Sequence, residues 1–419
     1  MAQTTTADPS VSGATCAPSA TALAATLPPP RWLVAAAGLL GALVLAGAIW
    51  SAEGAPMTLL FVLGLGLGVA LYHSRFGFTS AFRQLVSVGQ GRALQAHALM
   101  IAVATLLFAP LLSAGTGLFG VETSGYVAPV GVGVVVGAFL FGIGMQLGGS
   151  CASGTLFNAG SGQLVVVITL GGFIVGSVLG AWHLGFWEAT PNVGPVDLGA
   201  ELGLGGGLAV TLGGLALLAL VAELVIRRRR PPELGRPASA AGLARALRGS
   251  WPLWVGALVL AVLNAAVLAT SGAPWGVTGA FALWGGQAVE AAGIADPSQW
   301  AFFDGRSPLE TSVLGDNTSV TNFGIMLGAL VAAAIGGTWS LRRGIPLRTA
   351  AAAVLGGILM GYGARLAYGC NIGAYFGGIA SLSLHGWLWG VLALGGTWAG
   401  LKVRPLFGMS NPKPTDSTC

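Results

Sequence analysis

The sequence predicts an all-α polytopic membrane protein of about ten spans, built from inverted internal repeats that meet at broken or short helices. Three observations lead to this prediction. The chain is 54% hydrophobic and only 8% charged, whereas an average soluble domain is roughly 25% charged. Several apolar runs approach the ~20 residues that cross a bilayer core. A short cysteine-containing motif also occurs twice, which indicates a duplication.

The repeated motif reads G-x-G-x-x-L-x-x-x-C-x-x-G. It covers residues 142–154, which include Cys151, and residues 361–373, which include Cys370. The chain has four cysteines, and the two outside the tails occupy the same motif position. The abundance of glycine cannot produce the shared Leu and Cys, so we interpret the two segments as parts of an internal repeat.

Basic residues predict the orientation of the spans, because cytoplasmic loops of membrane proteins carry an excess of Lys and Arg. Basic loops alternate with acidic or neutral loops along the chain, so the net charge of +5 does not indicate nucleic-acid binding. Placing the basic loops inside puts both termini in the cytoplasm. The predicted spans lie near 32–50, 57–72, 97–113, 129–147, 164–182, 203–226, 252–271, 321–340, 349–367 and 376–401.

The same pattern divides the chain into five parts. They are a disordered cytoplasmic tail (1–30), a first membrane half (31–226, with its repeat at 57–182), a basic cytoplasmic loop (227–250), a second membrane half (251–401, with its repeat at 252–401) and a second cytoplasmic tail (402–419). The first 30 residues lack the basic start of a signal peptide, so we expect the first span to be retained.

A second repeated segment precedes each cysteine motif. Residues 77–82 read GFTSAF, and residues 276–281 read GVTGAF. In the predicted topology the span before Cys151 runs inwards and the span before Cys370 runs outwards, so the repeats are inverted. Inverted repeats are typical of transporters, in which broken helices form the substrate site between the halves.

Cys151 and Cys370 are the first candidates to act on a substrate. A thiol is a weak hydrogen-bond donor and a soft acceptor, so two thiols facing each other across a pseudo-two-fold axis could relay a sulfur-bearing substrate. Each could instead pack as a small hydrophobe between helices. A disulfide between them is also open, and it would require Cα atoms within ~7 Å. We predict that Cys16 and Cys419, in the tails, are reduced and have no role.

Other candidates flank the cysteines. Glycines let the backbone bend and open a helix N-terminus to an anion, or they allow close packing of helices. Arg365 is equivalent in the motif to Gln146, and an ionisable residue within an apolar run is a functional candidate unless it reaches the interface. The predicted substrate path consists of Thr79, Gly149, Ser150, Gly154, Thr278, Arg365, Gly369, Asn371 and Gly373.

The sequence offers no sign of a cofactor or a metal. The four histidines fall near predicted span ends without the spacing of metal ligands, so we interpret them as interfacial. No phosphate-binding loop, zinc motif or Ser-His-Asp order is present. We therefore expect no cofactor, no metal site, no nucleic-acid partner and no enzymatic activity.

These motifs resemble those of the YeeE/YedE family of sulfur-compound transporters. The resemblance lies in the two cysteine motifs and in the segment SRFGF at 74–78 with its repeat. It implies a bacterial inner-membrane protein that takes up thiosulfate through an inverted-repeat pore, in which Cys151 and Cys370 pass the ion by transient S–H···S hydrogen bonds. Some members carry another cysteine near the segment equivalent to 77–80. This chain has none there, so a third relay site would use a hydroxyl such as that of Thr79 or be absent.

The resemblance also indicates which partners to expect, and two alternative functions remain open. Relatives are associated with other sulfur species and with selenium metabolism. The expected partners are thiosulfate or a related sulfur anion, membrane lipid and a cytoplasmic sulfur-carrier or rhodanese-type protein. The basic loop could contact that protein, but a plain positive-inside anchor is the favoured interpretation of the loop. One rival is a membrane thiol–disulfide oxidoreductase that passes electrons between the two cysteines, although such enzymes usually pair nearby thiols as C-x-x-C. Another is a non-transporting membrane subunit, in which both cysteines would tolerate serine.

Overall fold

The computed structural model describes residues 27–232, 240, 242–341 and 344–413, and these are mostly helical. The helices are α1 (Trp32–Ser74), α2 (Phe78–Val88), α3 (Arg92–Ala114), α4 (Val132–Leu147), α5 (Ala152–Gly160), α6 (Leu164–Trp182), α7 (Leu184–Glu188), α8 (Leu198–Arg229), α9 (Leu253–Ser271), α10 (Gly279–Ala291), α11 (Asn317–Ile335), α12 (Leu347–Leu366), α13 (Gly378–Ala380) and α14 (Leu384–Val403). A π-helical segment, Asn371–Gly377, leads directly into α13.

The remaining elements are short. Strands β1 (Pro129–Gly131) and β2 (Asn192–Pro195) pair antiparallel, with Pro129 opposite Pro195. Single 3-10 turns occur at Leu118–Gly120, Gly242–Ala246, Pro297–Gln299, Pro308–Glu310 and Arg404–Phe407. Most of the predicted tail 1–30, part of the basic loop, and both Cys16 and Cys419 lie outside the described residues.

Eight helical segments of the described chain are long and apolar enough to cross a membrane. One of them contains α1, which is broken at Gly54, where the backbone has φ +80°. The first arm of α1 begins at the end of α11, where Arg31 N donates to Ala334 O at 2.8 Å. The second arm begins near the start of α11, where Gly64 packs on Thr321. The two arms therefore run in opposite directions along α11 and form separate spans, as the sequence predicts.

Equivalent helices of the two repeats pack against each other in opposite directions. Along α4 and α12, Gly137 lies against Gly363 and Gly144 lies against Gly356, so the residue order is reversed. The repeats are also intertwined, because α1 packs on α11, α3 on α9, α6 on α12 and α4 on α14. This two-fold arrangement is the architecture of inverted-repeat membrane proteins.

The last predicted span, 376–401, begins too early. Residues 371–380 form the π-helical segment and α13, and the continuous helix α14 starts at Leu384. Apolar composition alone does not distinguish a buried broken segment from a spanning helix. Although α14 is not among the eight segments of sufficient hydropathy, it runs parallel to α4, with Gly142 against Ala393 and Gly400 against Ile143. By its packing, α14 is the tenth span.

Gly356 marks a point where α4 and α12 approach closely, and it provides a test of this packing. A Cβ at Gly356 would overlap the backbone nitrogen of Gly148. We expect Gly356→Ala to reduce the free energy of unfolding by about 1–3 kcal/mol, because the helices must move apart. Thermal unfolding of the detergent-purified protein would measure the loss.

The matched control is Gly213→Ala in α8, where an added methyl group meets nothing within 4 Å. This variant should be neutral or slightly stabilised, because alanine favours a helix over glycine. Equal stability of the two variants would contradict the close crossing of α4 and α12.

Candidate functional site

Both motif cysteines lie where a helix breaks inside the protein. Cys151 is the N-cap of α5, and Cys370 is the N-cap of the π-helical segment. The eighth residue of each motif has left-handed backbone geometry, with φ +76° at Gly149 and φ +55° at Tyr368. A side chain in this region costs about 1–2 kcal/mol, so the surrounding packing must hold the Tyr368 turn in place. The predicted breaks before both cysteines are therefore present.

The two cysteines are free and buried. Their exposed fractions are 2% for Cys151 and 1% for Cys370. The Cys151 sulfur lies 3.6 Å from the hydroxyl oxygen of Ser153, and the Cys370 sulfur accepts a hydrogen bond from Ile372 N at 3.4 Å. The short segments that they cap contact each other. The structure thus brings the two breaks together and contains the cysteines as thiols rather than as a disulfide.

A cavity of about 570 Å³, which we call the Cys151 cavity, opens onto the first break. The predicted path residues on its wall are Thr79, Gly149, Ser150, Cys151 and Gly154. Three cationic side chains, Arg75, Arg83 and Arg248, also line it. The cavity therefore attracts anions.

Hydrogen bonds connect a series of polar side chains that ends at Ser150, next to Cys151. Gln163 donates to the amide oxygen of Asn158 at 3.0 Å, and Asn158 donates to the Ser150 hydroxyl oxygen at 3.2 Å. The hydroxyl of Thr79 is buried and has no hydrogen-bond partner. It is thus free to bind an oxygen or sulfur atom in the Cys151 cavity.

A further cation lies behind this cavity. Arg404, which directly follows α14, donates to the carbonyl oxygen of Gln146 at 2.5 Å. Burial, with a smaller effect of the nearby Arg83, lowers the pKa of Arg404 to about 10. The guanidinium therefore stays charged at neutral pH and adds to the positive potential on this side of the protein.

A second cavity of about 500 Å³, the Arg365 cavity, opens beside the other break. The predicted path residues on its wall are Thr278, Arg365, Gly369 and Gly373. Cys370 and Asn371, which lie between these two glycines in the chain, do not line the cavity and are buried. Asn371 is fully buried, and neither its amide nitrogen nor its amide oxygen has a hydrogen-bond partner.

The residue five positions before each cysteine contacts the segment 77–82 or 276–281 of its own repeat. Arg365 is 7% exposed, so it does not extend to the interface, and it donates to the hydroxyl oxygen of Thr278. The equivalent Gln146 is fully buried and donates to Thr79 O at 3.3 Å and to the Thr397 hydroxyl oxygen at 3.4 Å. The two halves of the site are therefore built alike but differ in charge.

An aromatic cluster packs next to both breaks. Tyr375, in the π-helical segment, has its ring centroid 6.2 Å from Phe78, 6.0 Å from Phe82 and 6.1 Å from Trp389. All four rings are buried. Because Phe78 precedes Thr79 of the Cys151 cavity and Tyr375 follows Gly373 of the Arg365 cavity, the cluster joins the walls of the two cavities.

Sequence reasoning missed several residues at the site. Tyr126, Glu188 and Phe302 line the Arg365 cavity but lie outside both repeated motifs. Three of the four histidines are buried inside the protein, since His73, His97 and His385 are 3%, 1% and 0% exposed. They lie near the ends of apolar runs, and proximity along the chain did not reveal that other helices cover them.

Two inverted repeats with paired helix breaks and a cavity beside each break define a membrane transport protein. The chain matches the sulphur transport family over residues 73–399 and belongs to that family. This match confirms the resemblance to YeeE/YedE proteins.

Known relatives fall into two groups. The probable transporter YedE of Escherichia coli (strain K12) is 34% identical over 165 residues, which are 38% of this chain and 41% of YedE. The chain thus aligns with less than half of that protein. The thiosulfate transporter TsuA of Spirochaeta thermophila is 27% identical over 346 residues, which are 80% of this chain and 96% of TsuA. TsuA of Escherichia coli is 27% identical over 357 residues, or 82% of this chain and 94% of that protein.

Proposed function

We propose that this protein imports thiosulfate across the bacterial cytoplasmic membrane. The observation that carries the proposal is the placement of two free cysteines at equivalent helix breaks. Cys151 lines the Cys151 cavity, and Cys370 directly follows Gly369, which lines the Arg365 cavity. The similarity to TsuA along nearly the whole of that protein supports thiosulfate as the substrate.

In this proposal Cys370 and Cys151 bind the anion in turn. The terminal sulfur of thiosulfate is a large, soft acceptor, and each thiol donates a weak S–H hydrogen bond to it. The partial positive charge at the N-terminus of α5, which Cys151 caps, favours the anion there. No bond to sulfur is made or broken, so the proposed process is transport without chemical conversion.

In this proposal the aromatic cluster, which links the walls of the two cavities, forms a dry barrier between them. Its four rings are buried, and both thiols are at most 2% exposed. A hydrophobic constriction prevents hydrated ions from passing. Passage therefore depends on an anion that can exchange its water for thiol contacts, which sulfate, with four hard oxygens, does poorly.

The proposed direction follows from the predicted topology. The Arg365 cavity faces outwards and the Cys151 cavity faces the cytoplasm, so Cys370 receives the anion first. Both termini and the basic loop 227–250 are then cytoplasmic. On this side we propose that a sulfur-carrier or rhodanese-type protein consumes the imported sulfur.

Uptake of radiolabelled thiosulfate tests the proposal. Bacterial cells that lack their own thiosulfate and sulfate importers would express the full chain, with an empty vector as the control. We expect thiosulfate to accumulate in the cells that express the protein and labelled sulfate not to accumulate. If the protein is inserted in the membrane but thiosulfate does not enter, thiosulfate is the wrong substrate. Other sulfur anions and selenium oxyanions would then be tested in the same cells.

A further inference from the structure

Arg365 is a buried cation without a carboxylate partner. Among the described residues the one ion pair joins Arg227 and Glu223, in α8. The Nε atom of Arg365 is buried and has no hydrogen-bond partner. A buried charge without an opposite charge is costly, so a guanidinium in this state favours an anion as its missing partner.

Three separate elements hold this guanidinium at the cavity wall. Gly180 of α6 lies against the Cβ and Cγ atoms of Arg365, where any side chain would displace the arginine stem. The hydroxyl of Thr278 accepts a hydrogen bond from its Nη2 atom. The ring of Phe302 lies under the guanidinium, with 5.1 Å between the Cζ atom and the ring centroid. These contacts fix the position of the charge before any ligand arrives.

The same position in the other repeat carries no charge. Gln146 is neutral and bonds to Thr79 and Thr397. The Cys151 cavity has its own arginines, but Arg75 is exposed, and Arg83 and Arg248 are only half-buried. Of the two equivalent motif positions, therefore, the one in the second repeat carries a buried cation.

We infer that Arg365 and Thr278 form a capture site that selects a doubly charged sulfur oxyanion before it reaches Cys370. This inference rests on the proposed function and adds a binding step to it. The donors of a guanidinium match two oxygens of a tetrahedral oxyanion. The oxygens of thiosulfate then face Arg365, and its terminal sulfur is directed to the break at Gly369, the residue before Cys370.

Arg365 and Thr278 recognise the oxygens and the charge of the anion, and the two cysteines recognise its terminal sulfur. Sulfate has the same charge and similar oxygens, so sulfate binds at Arg365 although the thiols do not carry it onwards. Glu188 also lines the Arg365 cavity but is exposed. Solvent and salt therefore weaken its repulsion of an anion more than they weaken the attraction of the buried Arg365.

Equilibrium binding of radiolabelled thiosulfate to the purified full-length protein tests this site. We expect Arg365→Gln to raise the dissociation constant about tenfold or more, because a charge-assisted hydrogen bond is lost. Arg365→Lys should lie between wild type and Arg365→Gln, because it retains the charge without the paired donors. Thr278→Val should cause a smaller increase, because the guanidinium loses one of its supports.

Arg306→Gln is the matched control. Arg306 lies close to Phe302 in the chain but is exposed and does not line the cavity. If general attraction of anions explains binding, Arg306→Gln weakens it as much as Arg365→Gln does. The site predicts no change in Arg306→Gln, and it also predicts that unlabelled sulfate displaces thiosulfate from the wild type.

The outcomes separate this inference from the proposed function. Binding that is equal in wild type, Arg365→Gln and Thr278→Val overturns the capture site, even if the wild type imports thiosulfate. Binding that depends on Arg365 without any uptake of thiosulfate overturns the proposed function and leaves the capture site standing. If Arg365→Gln fails to fold, Arg365→Lys and Thr278→Val decide the question. Wild type that binds neither thiosulfate nor sulfate overturns the site.

Discussion

Serine in place of either Cys151 or Cys370 is expected to reduce thiosulfate uptake to about a tenth of the wild-type rate or less, a barrier increase of about 1.4 kcal/mol or more. The hydroxyl of serine is a small, hard group that does not reproduce the soft contact between a thiol and the terminal sulfur. Both side chains are almost fully buried, so little water is available to replace the missing contact. Uptake of labelled thiosulfate at matched membrane levels is the measurement.

The double variant gives a sharper test of the same idea. If the two thiols act in series on one path, loss of either blocks that path, and Cys151→Ser/Cys370→Ser should be no slower than the slower single variant. Cys16→Ser and Cys419→Ser provide controls with the same chemical change in the tails. The relay is wrong if either buried variant imports thiosulfate as fast as these controls, because the cysteines would then be packing residues.

Replacement of Asn371 with alanine is expected to separate stability from transport. Both polar atoms of the Asn371 amide are buried without partners, and such atoms destabilise a folded protein by about 1–3 kcal/mol. The residue after Cys151 is Ala152, so Asn371→Ala makes the second break resemble the first. We expect the variant to be as stable as wild type or more stable, because removal of the amide offsets the small cavity that forms.

The same change should lower uptake about tenfold, because the amide no longer binds the oxygens of the anion as it reaches Cys370. Thermal unfolding and uptake would be measured on the same preparations, and Asn371→Asp would add a charge that repels the anion. A variant that unfolds at lower temperature and still imports thiosulfate normally would make Asn371 a structural residue.

Sequence and structure agree best on the inverted repeats and on the helix breaks before the two cysteines. The duplicated, glycine-rich motif predicted the repeat and a break before each cysteine, and the alternation of basic loops predicted that the two repeats are inverted. The second arm of α1 is a full helix despite its glycine-rich run, since Gly64 and Gly68 let α11 approach closely. Helix propensity gave no information about that contact.

The site was predictable only in part. Thr79, Thr278 and Arg365 could be singled out because they belong to repeated segments. Phe302 could not, because its position under Arg365 depends on how an irregular connection folds across the mouth of the cavity. The π-helical geometry after Cys370 also left no sign in the sequence, because the glycine-rich apolar run from 372 is equally compatible with an ordinary helix.

The crossed packing of the repeats has a consequence for biosynthesis. The first helix of the chain completes its contacts only when α11 has left the ribosome. Helix α3 likewise completes its contacts only after α9 has been synthesised. Until then, the glycine faces of the early helices are exposed to lipid. The main packing partners of α1, α3, α4 and α6 lie in the second half, so we expect the two halves to mature together. A gene split between α8 and α9 should therefore yield a working protein only when both pieces are made in the same cell.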